Sequence, residues 1–178
     1  MKYTAKDIVY QARKFEEASV LLEQMTLENN KVAKIATTLT LGKQSLNHYL
    51  EPSLSLCGLS LELYLKAIYY YEFNKTTSGH HINSLYDKLK TESKESIKEF
   101  FEKTTTKYLE DNISFITDNI IPIISFEETL IELSDLFVST RYMYENSGIE
   151  KNLIFREPMR QGIVNRINEL GFIDYFLD

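Results

Sequence analysis

The chain has one cysteine, three prolines, six glycines and no tryptophan in 178 residues. A lone thiol, Cys57, excludes an internal disulfide. Its place among leucines reads as an inert core thiol in a reducing compartment, which makes the cytoplasm the expected location. No uninterrupted apolar run approaches the ~20 residues of a membrane span. The start, Met1 to Asp7, lacks the roughly 7–15-residue apolar core of a signal peptide. The expectation is a soluble chain with no membrane partner. Positive charge is in deficit, with 20 Lys plus Arg against 26 Asp plus Glu and a net charge of −6. General attraction to phosphate backbones and broad DNA binding are therefore not expected, although a local basic groove is compatible with an acidic total. There is no Walker loop, no Gly-rich dinucleotide turn and no Gly-x-Ser-x-Gly elbow. Adjacent His80 and His81, without Cys partners or a His-x-x-x-His spacing, make weak metal ligands. No cofactor and no metal are expected.

What the chain has in quantity is Leu, Ile and aromatics, including twelve tyrosines and ten phenylalanines. This length suits one domain over 1–178 that buries about two thirds of its unfolded surface. Thr4 and Asp7 form a capping-box pattern ahead of Ile8, Ala12, Phe15, Leu22 and Met25 at helical spacing, predicting a helix that ends near Asn29-Asn30. Residues 31–50 offer Ile35, Leu39, Leu46 and Tyr49 as one helical face, which Thr37, Thr38, Thr40 and Gly42 weaken. Pro52 suits the first turn of a central helix reaching Phe73, followed by the loop Asn74 to Gly79. A short helix then carries Ile82, Leu85, Tyr86 and Leu89 on one side. Another, over about 92–110, turns Ile97, Phe100, Phe101 and Tyr108 inward. Ser125 and Glu128 repeat the capping box and open a helix through Leu130, Leu133, Phe137, Arg141 and Tyr144 to Ser147-Gly148. A last helix starts around Pro158, runs through Ile163 and Ile167 and meets Gly171. No strand pattern persuades, and the expected fold is an all-α bundle of about five to six helices.

Charges in apolar surroundings direct the functional reading. The helix from Pro52 to Phe73 is apolar on most of its circumference, yet it carries Glu62 and Lys66, and a charge removed from water needs a partner. At about 100° per residue, Arg141 falls on the core stripe of its helix with Glu145 one turn on. Two arrangements stay open. Either Glu62 receives a two-pronged hydrogen bond from Arg141, or Glu62 pairs with Lys66 at i,i+4 while Arg141 reaches water. One of His80 and His81 is expected to cap a helix start or bond Glu62, the other to be solvated.

Three segments carry a family resemblance: Leu59-Ser60-Leu61-Glu62-Leu63-Tyr64-Leu65-Lys66-Ala67, Ser78-Gly79-His80-His81-Ile82-Asn83-Ser84-Leu85-Tyr86-Asp87-Lys88-Leu89, and Phe137-Val138-Ser139-Thr140-Arg141-Tyr142-Met143-Tyr144-Glu145. In this order and spacing, over about 50–148, the chain resembles the HEPN superfamily, particularly its prokaryotic members. The resemblance implies a bundle of about five helices, a homodimer, and a place in toxin–antitoxin, phage-defence, stress or other RNA-directed systems. Active HEPN ribonucleases share an Arg followed four to six residues later by His. This chain departs from that motif, because His48, His80 and His81 all precede Arg141. The leading expectation is thus a non-catalytic HEPN-like module whose polar cleft of Glu62, Lys66, His80, His81, Arg141, Tyr144 and Glu145 receives a ligand, RNA or partner group. One alternative is a divergent metal-independent endoribonuclease with Arg141 stabilising charge and His80 or Glu145 moving protons. Another is an antitoxin or scaffold docking a partner through tyrosines and the tail Phe172 to Leu177.

Overall fold

Helix starts are set locally. In the computed structural model, Thr4 N–H donates to Asp7 Oδ2 at 2.8 Å and Asp7 N–H returns to Thr4 Oγ1 at 3.3 Å, closing the first capping box. Helix α1 follows over Ala5–Asn29. The structure describes residues 3–29, 38–41, 50–118, 123–134, 136–141 and 149–172, with 26–29, 38–41, 115–118, 138–139, 141 and 149–152 described by their backbone alone. The second capping box has the same reciprocity: Ser125 N–H donates to Glu128 Oε2 at 2.7 Å and Glu128 N–H to Ser125 Oγ at 3.2 Å.

Helix α2, Leu50–Phe73, is the centre of an all-α bundle and buries residues around most of its circumference. Helix α1 lies along it, and α3 (Ile82–Asp87), α6 (Leu136–Arg141) and α7 (Arg156–Ile167) pack against it from other sides. The α1–α2 approach is close enough for reciprocal bonds, Ser19 Oγ to the Ser53 carbonyl at 2.8 Å and Ser53 Oγ to the Ser19 carbonyl at 3.0 Å. Cys57 is buried on α2, and burial pushes its thiol up to about 11. The long α4, Thr91–Asp118, packs on α7, and α5, Phe126–Ser134, on α3. Edge-to-face rings join these elements. Tyr86 meets Phe126 and Phe126 meets Phe101, each at 5.2 Å, while Phe155 receives Phe101 at 6.2 Å and Tyr108 at 6.4 Å. Phenylalanine and tyrosine thus supply the large core volume that tryptophan often fills.

Three sequence expectations change. Within 31–50, residues Thr38–Leu41 form strand β1 rather than helix, antiparallel to β2, Ile149–Asn152, with Thr38 opposite Asn152 and Leu41 opposite Ile149. Thr-Leu-Thr-Leu alternates with period two, and β-branched threonine fits a pleated strand better than a helix. The flanking 31–37 and 42–49 lie outside the described residues. The helix expected from Ser125 to Ser147-Gly148 is described as α5, Phe126–Ser134, and α6, Leu136–Arg141, with 135 and 142–148 outside the described residues. Ser134 of α5 gives its hydroxyl to Asn83 Oδ1 of α3 at 2.5 Å, tying these two helices together. Helix α4 runs eight residues further than expected, to Asp118. Helix α7 starts at Arg156, before Pro158, and passes into a π-helical turn, Asn168–Phe172, where Gly171 has φ +85°. Phe172 is buried and meets Tyr71 edge-on at 5.6 Å. The rest of the expected tail, 173–178, lies outside the described residues.

Helix α6 reaches α2 over a glycine. A Cβ at Gly58 would stand 2.6 Å from the Phe137 backbone nitrogen and 3.1 Å from its Cα, contacts that backbone cannot relieve by rotating a side chain. Gly58→Ala is expected to destabilise the fold by about 1–3 kcal/mol through overpacking. Urea unfolding measures it, and a loss below about 0.5 kcal/mol would show that α6 shifts freely, since only neutral surface changes stay in that range.

Candidate functional site

Glu62 sits in the middle of α2 and is 2 % exposed. Its burial follows from α2 being wrapped by neighbours, so the carboxylate has to be satisfied from close by. Lys66, one turn on, donates to Glu62 Oε1 at 2.6 Å. The second partner comes from the chain that leaves α2. This chain turns at Asn74 (φ +51°) and Gly79 (φ +105°) and sets His80 Nδ1 3.1 Å from both Glu62 oxygens. The His80 ring lies 6.3 Å from that of Phe137 in α6. Phe137 is the residue whose backbone rests on Gly58, one turn before Glu62.

The three groups differ in access. Side-chain exposure is 3 % for Glu62, 20 % for Lys66 and 59 % for His80. A buried carboxylate therefore holds one nitrogen of an exposed imidazole, which fixes the ring tautomer as Nδ1–H and leaves Nε2 as the nitrogen that can accept or pass a proton. His81 occupies the N-cap position of α3 but makes no side-chain cap bond and is exposed. Tyr69, further along α2, pairs with Phe73 at 4.7 Å.

The structure thus brings together Glu62, Lys66 and His80 and leaves His81 apart. Arg141 is the last described residue of α6, one turn beyond Phe137. Its side chain and residues Tyr144 and Glu145 lie outside the described residues, and so does the proposed Glu62–Arg141 pairing. Among the described residues, no group of three His, Cys, Asp or Glu side chains could hold a metal ion, and no helix is long and apolar enough to cross a membrane.

A second polar cluster lies between α1 and α7, with α2 as its floor. Tyr64, 1 % exposed, donates to Glu16 Oε2 at 2.5 Å, and burial followed by the nearby Glu16 charge raises its phenol well above the ordinary value. Arg160 bonds the other Glu16 oxygen and grips both oxygens of Glu157, with Nε to Oε2 at 2.7 Å. One turn earlier on α7, Arg156 bonds Glu23 of α1 at 2.5 Å. Above this clasp a cavity of about 380 Å³ is lined by Arg13, Glu17, Val20, Leu21 and Val164 as well as the cluster. A third network ties α7 to α4. Arg166, 7 % exposed, donates to Ser93 Oγ at 2.8 Å and reaches Glu92 and Glu169, each at 3.0 Å. The sequence reading missed both networks. Its starting point for α7, Pro158, excluded Arg156 and Glu157. The signal that could have found them is the i,i+4 spacing of Arg156 and Arg160 opposite the seven-residue spacing of Glu16 and Glu23.

No family model, curated protein or solved structure matches the chain. Architecture therefore places it as an all-α bundle, and a functional reading rests on the chemistry of its own side chains.

Proposed function

We propose that the chain is a HEPN-like, non-catalytic binding module in which the Glu62 centre receives a ligand or partner group. Its setting is a cytoplasmic toxin–antitoxin, phage-defence or stress system, and its assembly a homodimer. One observation carries the reading: a carboxylate buried inside an apolar helix is shared between Lys66 and a histidine that stands in solvent. A purely structural ion pair would be complete with Lys66 alone. The third partner links the buried charge to the surface, where a ligand meets it. The resemblance over 50–148 supports the RNA-directed setting, and the absence of a histidine after Arg141 supports binding without cleavage.

The second reading is a metal-independent endoribonuclease, and the Glu62–His80 geometry favours it specifically. A carboxylate bonded to Nδ1 leaves Nε2 to act as general base or acid, and Arg141 would stabilise developing charge on phosphorus. Incubation of the purified chain with tRNA and with total RNA, followed by gels and filter retention, separates the two. The expected result is retention of RNA, weakened in Lys66→Met, with every RNA intact. Cleavage that disappears in both His80→Ala and Arg141→Ala, with circular dichroism unchanged, would instead establish the nuclease. Neither retention nor cleavage would remove RNA from the reading.

A further inference from the structure

Between α2 and α3 the chain forms a strap, Asn74 to His81, in which no residue is buried; Thr77 alone is half-buried. The strap runs back along α2. From Phe73 to Glu62 is eleven residues, about 16 Å at the helical rise, and the six steps from Asn74 to His80 reach about 20 Å when fully extended. The strap is therefore long enough to return from the end of α2 to Glu62. Its ends are firm: Asn74 N–H donates to the Tyr70 carbonyl at 2.8 Å, and Ile82 and Leu85 just beyond it are in the core. Between them the recorded ties are polar. Lys88 Nζ donates to Thr77 Oγ1 at 3.1 Å and to the Ser78 carbonyl at 3.0 Å, and His80 bonds Glu62. A segment without buried apolar contacts belongs to the low-stability end of a fold. Two of its residues already occupy positive φ, which glycine adopts freely and asparagine tolerates.

We infer that this strap is a cover over Glu62, latched by His80, and that the uncovered carboxylate accepts an N–H donor from an incoming group in the place of the imidazole. When His80 leaves, Lys66 still bonds Oε1, but Oε2 loses the partner recorded for it inside a nearly inaccessible site. A buried carboxylate oxygen left without a donor is costly. The opened state is therefore stable only when another donor fills the gap, so opening and binding are coupled. Among the described residues, the groups facing Glu62 are Lys66 from α2 and His80 from the strap, with the Phe137 ring of α6 behind the imidazole. This inference rests on reading Glu62 as a receiving centre, but its test uses no RNA.

A nitroxide attached through Ser78→Cys reports the strap, because the native Cys57 thiol is buried and its pKa raised, which keeps it from competing for the label. In the otherwise unchanged chain the spectrum is expected to be dominated by an immobilised component, which His80→Ala removes. Lys66→Met, which leaves His80 in place, is expected to retain it. Because His80 is exposed, His80→Ala folds even if changes at Glu62 do not. The receiving site is tested in the same His80→Ala chain with 4-methylimidazole as probe. A saturable rise in melting temperature is expected there, absent from the chain with His80 intact and from His80→Ala combined with Glu62→Gln. An unchanged spectrum on His80→Ala overturns the cover, and a flat response to 4-methylimidazole overturns the receiving carboxylate. Failure of RNA retention with both results positive would remove the RNA reading and leave the gated site standing.

Discussion

Replacing Glu62 by alanine is expected to lower stability by about 3–5 kcal/mol, the range for breaking a buried ion pair from one side. An exposed i,i+4 pair would give only a few tenths. Burial decides between these magnitudes, since Glu62 is 2 % exposed and the Lys66 side chain 20 %. Removing the carboxylate strands an ammonium whose short path to water is only partly open, and it also frees His80. Lys66 can extend its stem toward solvent, which places the expected loss nearer 3 than 5 kcal/mol.

The double variant makes the cause visible. Glu62→Met with Lys66→Met removes both charges and keeps volume, and such replacements are often neutral or stabilising. It is therefore expected to recover most of what Glu62→Ala loses. Lys66→Met alone leaves the carboxylate with His80 and should fall between. Urea unfolding at constant m-value reads all three. A loss under 1 kcal/mol for Glu62→Ala, additive with Lys66→Met, would show that the pair is held in water-like surroundings.

Locally encoded features were legible in the sequence. The capping boxes at Thr4/Asp7 and Ser125/Glu128, the Leu-rich face of α2 and the stop near Phe73 all depend on residues within one or two turns, and each appears as read. The Glu62–Lys66 contact was one of two arrangements that helical spacing left open, for the same reason. Features that depend on distant partners were not legible. Strand β1 exists because residues 149–152 come alongside it, and four alternating residues carry too little pattern to announce a strand. One of the two neighbouring histidines was expected to cap a helix start or bond Glu62, but only the turns at Asn74 and Gly79 select His80 over His81.

The α1–α7 clasp gives the second large expected effect, and its origin lies in the same long-range category: Arg160 and Glu16 stand 144 residues apart. Arg160→Met removes the cation shared by Glu16 and Glu157, whose side chains are 14 % and 43 % exposed, beside the buried hydroxyl of Tyr64. Discounted for that partial access, the expected loss is about 2–3 kcal/mol, below the fully buried range. Tyr64→Phe should cost about 1 kcal/mol, the net value of one hydrogen bond, because the ring stays packed. The two losses should not add, since both act through the Glu16 carboxylate.

Acid separates this clasp from ordinary packing. Burial works to raise the Glu157 carboxyl, but hydrogen bonds from Arg160 and Gln161 and the nearby arginine charges overcome it and hold the group below its ordinary 4.5. A carboxyl depressed in the folded state stabilises fully above its unfolded value, and that contribution is lost as pH falls through the folded value. Stability of the intact chain should therefore fall below pH 4.5, and Arg160→Met should flatten this part of the curve by returning Glu157 toward its ordinary titration. Unfolding midpoints from pH 7 down to pH 3 test it, a window that brackets the ordinary carboxylate range. Parallel curves for the two chains would show that Arg160 does not set the Glu157 proton affinity. The clasp would then hold α1 to α7 by shape alone.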